Sequence, residues 1–220
     1  MSPIVPAIIP ASLDDIASTI DRVAPFTHEI QVDIVDGVFV PFTSWPYTTG
    51  APIASLSNYT KEHMVEVDLM LMEPERVIQE YVDAGARMVV VHLESVRDLE
   101  TIISLRKAND FKLGFSINND TPFNTLTRVL EQADYVQLMG IARIGSQGQP
   151  FDERVLERIS VLRKTYPTLL ISIDGSVNIE TVGKLAHAGA NRCVSGSAIL
   201  NQKNPEEAYY ALTSLFAIAV

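Results

Sequence analysis

Glu29-Ile-Gln-Val-Asp-Ile-Val-Asp-Gly-Val-Phe-Val-Pro41 is the stretch whose reading decides the fold. Ile30, Val32 and Ile34 alternate with Gln31, Asp33 and Val35, the period of a β-strand. In a parallel sheet sheathed by helices both faces are buried, so a carboxylate on the second face has to be stabilised or used. Asp33, inside the strand, reads as a functional residue. Asp36 stands beside Gly37 and reads as the cap of the turn that follows.

Strand and helix signals alternate on both sides of this stretch. Before it, Ile4–Ile9 reads as a strand, and Ser12 with Asp15 caps a helix carrying Ile16, Ile20 and Val23. After it come a loop with Pro41, Trp45 and Pro46, a weak helix at 51–56, and a third strand at Met64–Leu71. Pro74 starts a helix running to Ala84. Further strands are expected at Met88–His92, Lys112–Ile117, Tyr135–Gly140, Leu169–Ile173 and Arg192–Val194. Helices are expected around Leu99–Leu105, after Thr121-Pro122, at Val155–Tyr166, at Ile179–His187 and from Pro205. Eight βα units with short connections predict a (β/α)8 TIM barrel, with residues 1–220 as one domain. Ala84-Gly-Ala86 and Ala188-Gly-Ala190 echo each other between helix and strand, as a repeated unit should. A doubly wound open sheet is the alternative; no Gly-x-Gly-x-x-Gly follows any strand, so its dinucleotide-binding form lacks a signature.

The 220 residues are 47% apolar and carry 17 Lys+Arg against 27 Asp+Glu, a net charge of −10. A buried core is affordable in size, and with no basic run neither nucleic acid nor an anionic membrane is an expected partner. No apolar run approaches the ~20 residues of a membrane span. The single Cys193 and the absence of a signal-like N-terminus fit a cytoplasmic protein. The apolar tail Leu215–Val220 is expected to dock on the body or on another subunit, which makes a homo-oligomer the expected state.

Polar residues gather at the predicted C-terminal ends of the strands: Asp33, Glu66, Asp68, His92, Glu94, Asn118, Asn119, Gln137 and Asp174. In a barrel these ends converge on the mouth where active sites lie. His92 reads equally as a core histidine or a site residue. Asp174-Gly-Ser176 and Ser195-Gly-Ser197 are small-residue turns after the seventh and eighth strands. That is where barrels bind phosphate, so backbone N–H groups at Gly175, Ser176, Gly196 and Ser197 are the expected anion site.

The chain resembles the ribulose-phosphate 3-epimerase family through most of its length. Gln31-Val-Asp-Ile-Val-Asp-Gly-Val-Phe-Val-Pro41 is similar to that family's His-Val-Asp-Val-Met-Asp-Gly-His-Phe-Val-Pro. Asp68-Leu-Met-Leu-Met72 is similar to Asp-Val-His-Leu-Met, and Val91-His-Leu-Glu94, Asn118 with Thr121-Pro122, Leu138-Met139, Ile173–Asn178 and Ser195–Ile199 complete the set. The resemblance implies an isomerase that inverts C3 of a ketose phosphate, most directly D-ribulose 5-phosphate to D-xylulose 5-phosphate. It implies proton transfer by Asp33 and Asp174 through an ene-diolate. It also implies a divalent metal (Zn, Fe or Mn) held by those aspartates and two histidines.

Three departures matter. Gln31 and Met70 stand where the family has its two histidines, and an amide and a thioether make a poor transition-metal pair. No cofactor is therefore expected; a metal, if bound, has only Asp33 and Asp174 of the family ligands. Pro6-Ala-Ile-Ile-Pro10 lacks two hydroxyls of the family's Pro-Ser-Ile-Leu-Ser. The loop Ala142–Gln149 is one residue longer than the family's and brings Arg143, a candidate substrate contact with Met139 and His92. Two readings stay open: an epimerase, or a divergent phosphosugar-binding barrel (sensor or subunit) that does not epimerise. Metal-free phosphosugar decarboxylases are set aside, because Ile34-Val35 leaves no lysine between Asp33 and Asp36.

Overall fold

The computed structural model describes residues 2–48, 50–146 and 148–220. Eight parallel strands close on themselves in chain order: β1 Ile4–Ile8, β2 Glu29–Val35, β3 Met64–Met70, β4 Met88–His92, β5 Lys112–Ile117, β6 Tyr135–Met139, β7 Ile171–Asp174 and β8 Arg192–Ser195. The predicted (β/α)8 barrel is what forms, and β1 pairing with β8 removes the open-sheet alternative. Around it lie α1 Leu13–Val23, α2 Ile78–Asp83, α3 Leu99–Ala108, α4 Asn124–Thr127, α5 Arg154–Thr165, α6 Val182–Ala188, α7 Ser197–Leu200 and α8 Pro205–Ala219.

The alternation read from β2 sorts side chains into two buried sets. Ile30, Val32 and Ile34 join Val65, Val67, Leu69, Val89 and Val91 in the apolar layer between strands and helices. The intervening residues fill the barrel interior, and they are unusually polar: Gln31, Asp33, Glu66, Asp68, His92, Ser116, Gln137 and Ser172 are all buried. Register aligns them, with Gln31 opposite Glu66, Asp33 opposite Asp68 and Met139 opposite Asp174. Glu66, expected at the mouth, lies a layer deeper. There it forms a very short ion pair with the buried Arg192 and accepts the Tyr135 hydroxyl at 2.6 Å.

Ser12 and Asp15 form the predicted capping box on α1. Other boundaries differ from expectation. The segment from Pro74 divides into a 3-10 turn, Pro74–Arg76, and α2; the one after Pro122 yields only α4 and a 3-10 turn at Leu130–Gln132. The weak helix near residue 51 is a 3-10 helix, Ile53–Asn58. The α8 helix docks through Tyr209, Leu212 and Phe216, while Ile218 and Val220 remain exposed. Among the described residues no helix is long and apolar enough to cross a membrane.

Candidate active site

The turn after β2 behaves as its sequence demands. Asp36 Oδ1 accepts the backbone N–H groups of Val38 (2.8 Å) and Phe39 (2.9 Å), and its Oδ2 accepts that of Met72 (2.8 Å). Gly37, at φ 76°, occupies the left-handed region that permits this turn. Asp36 is thus a structural clip between the β2 and β3 loops. Ser44 fixes the strand end itself: its Oγ donates to the Asp33 carbonyl (3.1 Å) and accepts the Val35 N–H (3.0 Å).

Asp33 therefore projects from a rigid strand into the interior. Carboxylate oxygens of Asp33, Asp68 and Asp174 all lie within 4.8 Å of one another. The Gln31 amide reaches both outer members, its Nε2 donating to Asp33 Oδ1 at 2.9 Å and to Asp174 Oδ2 at 3.5 Å. Asp68 accepts the Gln137 Nε2 at 2.8 Å. His92 Nε2 stands 3.3 Å from the other Asp68 oxygen, at ion-pair distance but not aligned for a hydrogen bond.

Electrostatics follow from this crowding. Burial, then the charges of Asp174 and Asp68, push the Asp33 carboxyl well above its ordinary range, against a smaller opposing pull from the Gln31 hydrogen bond. Burial and Asp68 push Asp174 up to about 7, with the Gly175 N–H pulling the other way. Burial alone would lower His92, but the adjacent Asp68 carboxylate outweighs it and the net direction is upward. Both shifts run upward, the direction expected when neighbouring carboxyls resist ionising together.

Above the carboxylates opens a cavity of about 250 Å³, lined by Asp33, Asp174, Ala7, Ile9, Met70 and Met139 and by both glycine turns, at Gly175–Asn178 and Gly196–Ala198. Gly175 (φ 98°) and Ser176 (φ 54°) are both left-handed. For a serine that conformation is strained, and it is held by Asn178 Nδ2 (3.2 Å) and Thr181 Oγ1 (2.7 Å), both donating to the Ser176 carbonyl. Without a Cβ at Gly175 and Gly196, the backbone of both turns can approach an anion closely. Val35, Val40, Met70, Met139, Ile141 and Ile144 form an apolar cluster around the mouth that keeps its dielectric low.

The structure thus gathers Asp33, Asp174, Gly175, Ser176, Gly196, Ser197 and Met139 about one cavity. Two expected contacts fall elsewhere. His92 is fully buried behind Asp68 and under the Phe39 ring (centroids 5.7 Å apart), so it does not line the cavity. Arg143 is exposed and lines an adjoining groove with Asn118 and Thr121; that groove shares Ser146 and Gln149 with the cavity. Gln147 of this loop lies outside the described residues. Glu94 accepts the Asn118 N–H (2.7 Å) and, at very short range, the Thr121 hydroxyl, a clamp on the β5 loop.

The family's two-histidine, two-aspartate metal site does not form from these donors, which leave the three carboxylates Asp33, Asp68 and Asp174 within reach of one another. Met70 offers a thioether from one family position. From the other, Gln31 turns N–H groups to the carboxylates and leaves its own oxygen buried without a hydrogen-bond partner. Asp68 is already engaged by Gln137 and stands against His92. A soft thioether beside hard carboxylates suits neither kind of ion.

A closed parallel barrel with a cluster of carboxylates beside two glycine turns defines a barrel with acid–base equipment at its mouth. The pattern of the ribulose-phosphate 3 epimerase family matches residues 3–200, and the chain belongs to that family. It is 32% identical over 207 residues to the ribulose-phosphate 3-epimerase of Schizosaccharomyces pombe, covering 93% of this chain and 89% of the relative. To that of Bacillus subtilis it is 35% identical over 184 residues, covering 81% and 82%. In fold it is similar to 3-hexulose-6-phosphate synthase from Salmonella typhimurium (TM-score 0.72, 18% identity, 99% and 100% covered).

Proposed function

We propose that this chain is a ketose-phosphate 3-epimerase, an isomerase interconverting D-ribulose 5-phosphate and D-xylulose 5-phosphate. The observation that carries it is the closeness of the Asp33 and Asp174 carboxylate oxygens, within 4.8 Å, in the wall of one cavity that both glycine turns also line. The relatives bearing the epimerase name over most of their length support the same reading. The partner is a phosphorylated ketose, its phosphate received by backbone N–H groups at Gly175, Ser176, Gly196 and Ser197.

With the phosphate there, C3 lies between the two carboxyls. The ionised member removes the C3 proton, and the electron pair moves into the C2 carbonyl to form an ene-diolate. The protonated member delivers its proton to the opposite face of C3, and the carbonyl re-forms with inverted configuration. One proton shared between two carboxyls serves both directions, because each turnover exchanges their roles. The apolar cluster at the mouth limits access of water to the ene-diolate. No step is drawn through a metal, whose ligands the chain does not supply in the family's form.

The test is direct conversion. Purified protein incubated with D-ribulose 5-phosphate should yield D-xylulose 5-phosphate at equilibrium, read by NMR. Tight binding of pentulose phosphates without conversion of any pentulose or hexulose phosphate would instead support the non-epimerising reading.

A further inference from the structure

We propose that Gln31 is the positioning residue that clamps Asp33 and Asp174 together, and that this clamp makes the proton transfer independent of any metal ion. The inference rests on the epimerase reading. The buried Asp33 carboxyl and that of Asp174 at the cavity wall, within 4.8 Å and with Asp68 equally near, repel one another whenever more than one is ionised. Something has to hold the outer two at the spacing that brackets a carbon atom, and within the described residues the Gln31 amide is the group that touches both.

The placement follows from strand geometry. Gln31 and Asp33 are two residues apart on β2, so both face the interior, with Gln31 one layer deeper. Its side chain rises from below and ends between the carboxyls, which leaves the upper side to the cavity and the substrate. One –NH2 group has two hydrogens, one for each aspartate. A cation at this point would require the amide oxygen to face it, but the –NH2 group takes the side of the carboxylates and the oxygen is buried without a hydrogen-bond partner. On β3 the inward positions run from Glu66, opposite Gln31, through Asp68 to Met70, which adds an apolar wall at the cavity.

The experiment uses the full chain stripped with EDTA and dipicolinate, with metal content and epimerase kinetics measured on the same sample. Expected are far less than one ion per chain and an unchanged kcat. Gln31→Leu should lower kcat by about 10²-fold, as for loss of one preorganised donor, with the KM for D-ribulose 5-phosphate kept because the phosphate turns are untouched. Added zinc, manganese or magnesium should not restore it. A purely structural role would move both parameters or neither. Loss of activity on stripping that one metal restores overturns the inference, as does a Gln31→Leu variant with unchanged kcat. If that variant does not fold, Gln31→Met is assayed in the same way, and the stripped natural protein decides the metal question alone. If the natural protein turns over no ketose phosphate, the epimerase reading fails; a stoichiometric ion bound through Asp33 and Asp174 in that inactive sample overturns the metal-free inference separately.

Discussion

Asp174→Asn removes a carboxyl that burial and Asp68 raise to about 7. In the unfolded chain the same group titrates near ~3.9. Below that value it is protonated in both states and costs the fold nothing. Between there and about pH 7 the folded state binds the proton more tightly, so unfolding releases it and stability falls as pH rises. Each pH unit of elevation corresponds to about 1.4 kcal/mol, so the rise from ~3.9 sets a ceiling of about 4 kcal/mol at alkaline pH. Asp174 is partly exposed at the cavity wall, and screening there reduces the expectation to about 2 kcal/mol. Asn keeps the shape, so the variant should be inactive yet more stable at pH 8, by about 4–8 °C in Tm for a chain of this size. Urea and thermal unfolding of both proteins from pH 4 to pH 8 would measure the gap, which should be near zero at the acid end and widen upward. A gap independent of pH, or a variant less stable at pH 8, would refute the assignment of Asp174 as a strained carboxyl.

Arg192→Met should destabilise the barrel by about 3–5 kcal/mol in urea unfolding, because Glu66 would remain buried without its charged partner, hydrogen-bonded to Tyr135. Gly140→Ala should abolish sulfate and phosphosugar binding measured calorimetrically, since an added Cβ would meet the Gly175 carbonyl oxygen at 2.1 Å and displace the β7 turn; binding at natural affinity would remove that turn from the phosphate site. Gln31→His combined with Met70→His should create a zinc site with Asp33 and Asp174, each single change doing much less, because affinity depends on completing one coordination shell. Elemental analysis after zinc exposure and dialysis reads it; a folded double variant that retains no zinc contradicts the placement of these two positions.

Much of the barrel was legible because its strands announce themselves twice, by alternation and by the turn residues that end them. A carboxylate among valines and isoleucines marked Asp33, and the glycine beside Asp36 marked a turn cap. Less legible were contacts across the barrel. Alternation tells which side of a strand a residue faces, but not its height or its neighbour four strands away. His92 was therefore expected beside the substrate and lies behind Asp68, and Glu66 was expected at the mouth and lies at the level of Gln31. Asp68 was placed at the mouth, but its closeness to Asp174 depends on a contact across the barrel, and Ser44 as the clip on β2 depends on how the following loop folds back. Gln31 was read from sequence as a lost ligand; only its two hydrogen bonds reveal what it does instead.

The central claim is that Asp33 and Asp174 pass a proton through C3, and exchange with solvent tests it most directly. In D2O, with D-ribulose 5-phosphate and the natural protein, deuterium should appear at C3 of both epimers as equilibrium is reached. Asp33→Asn and Asp174→Asn should each fold and each lose epimerisation, because either amide breaks the chain of proton delivery to one face. Deuterium incorporation and epimerisation that persist in either variant would contradict the claim, as would conversion by the natural protein without any deuterium at C3.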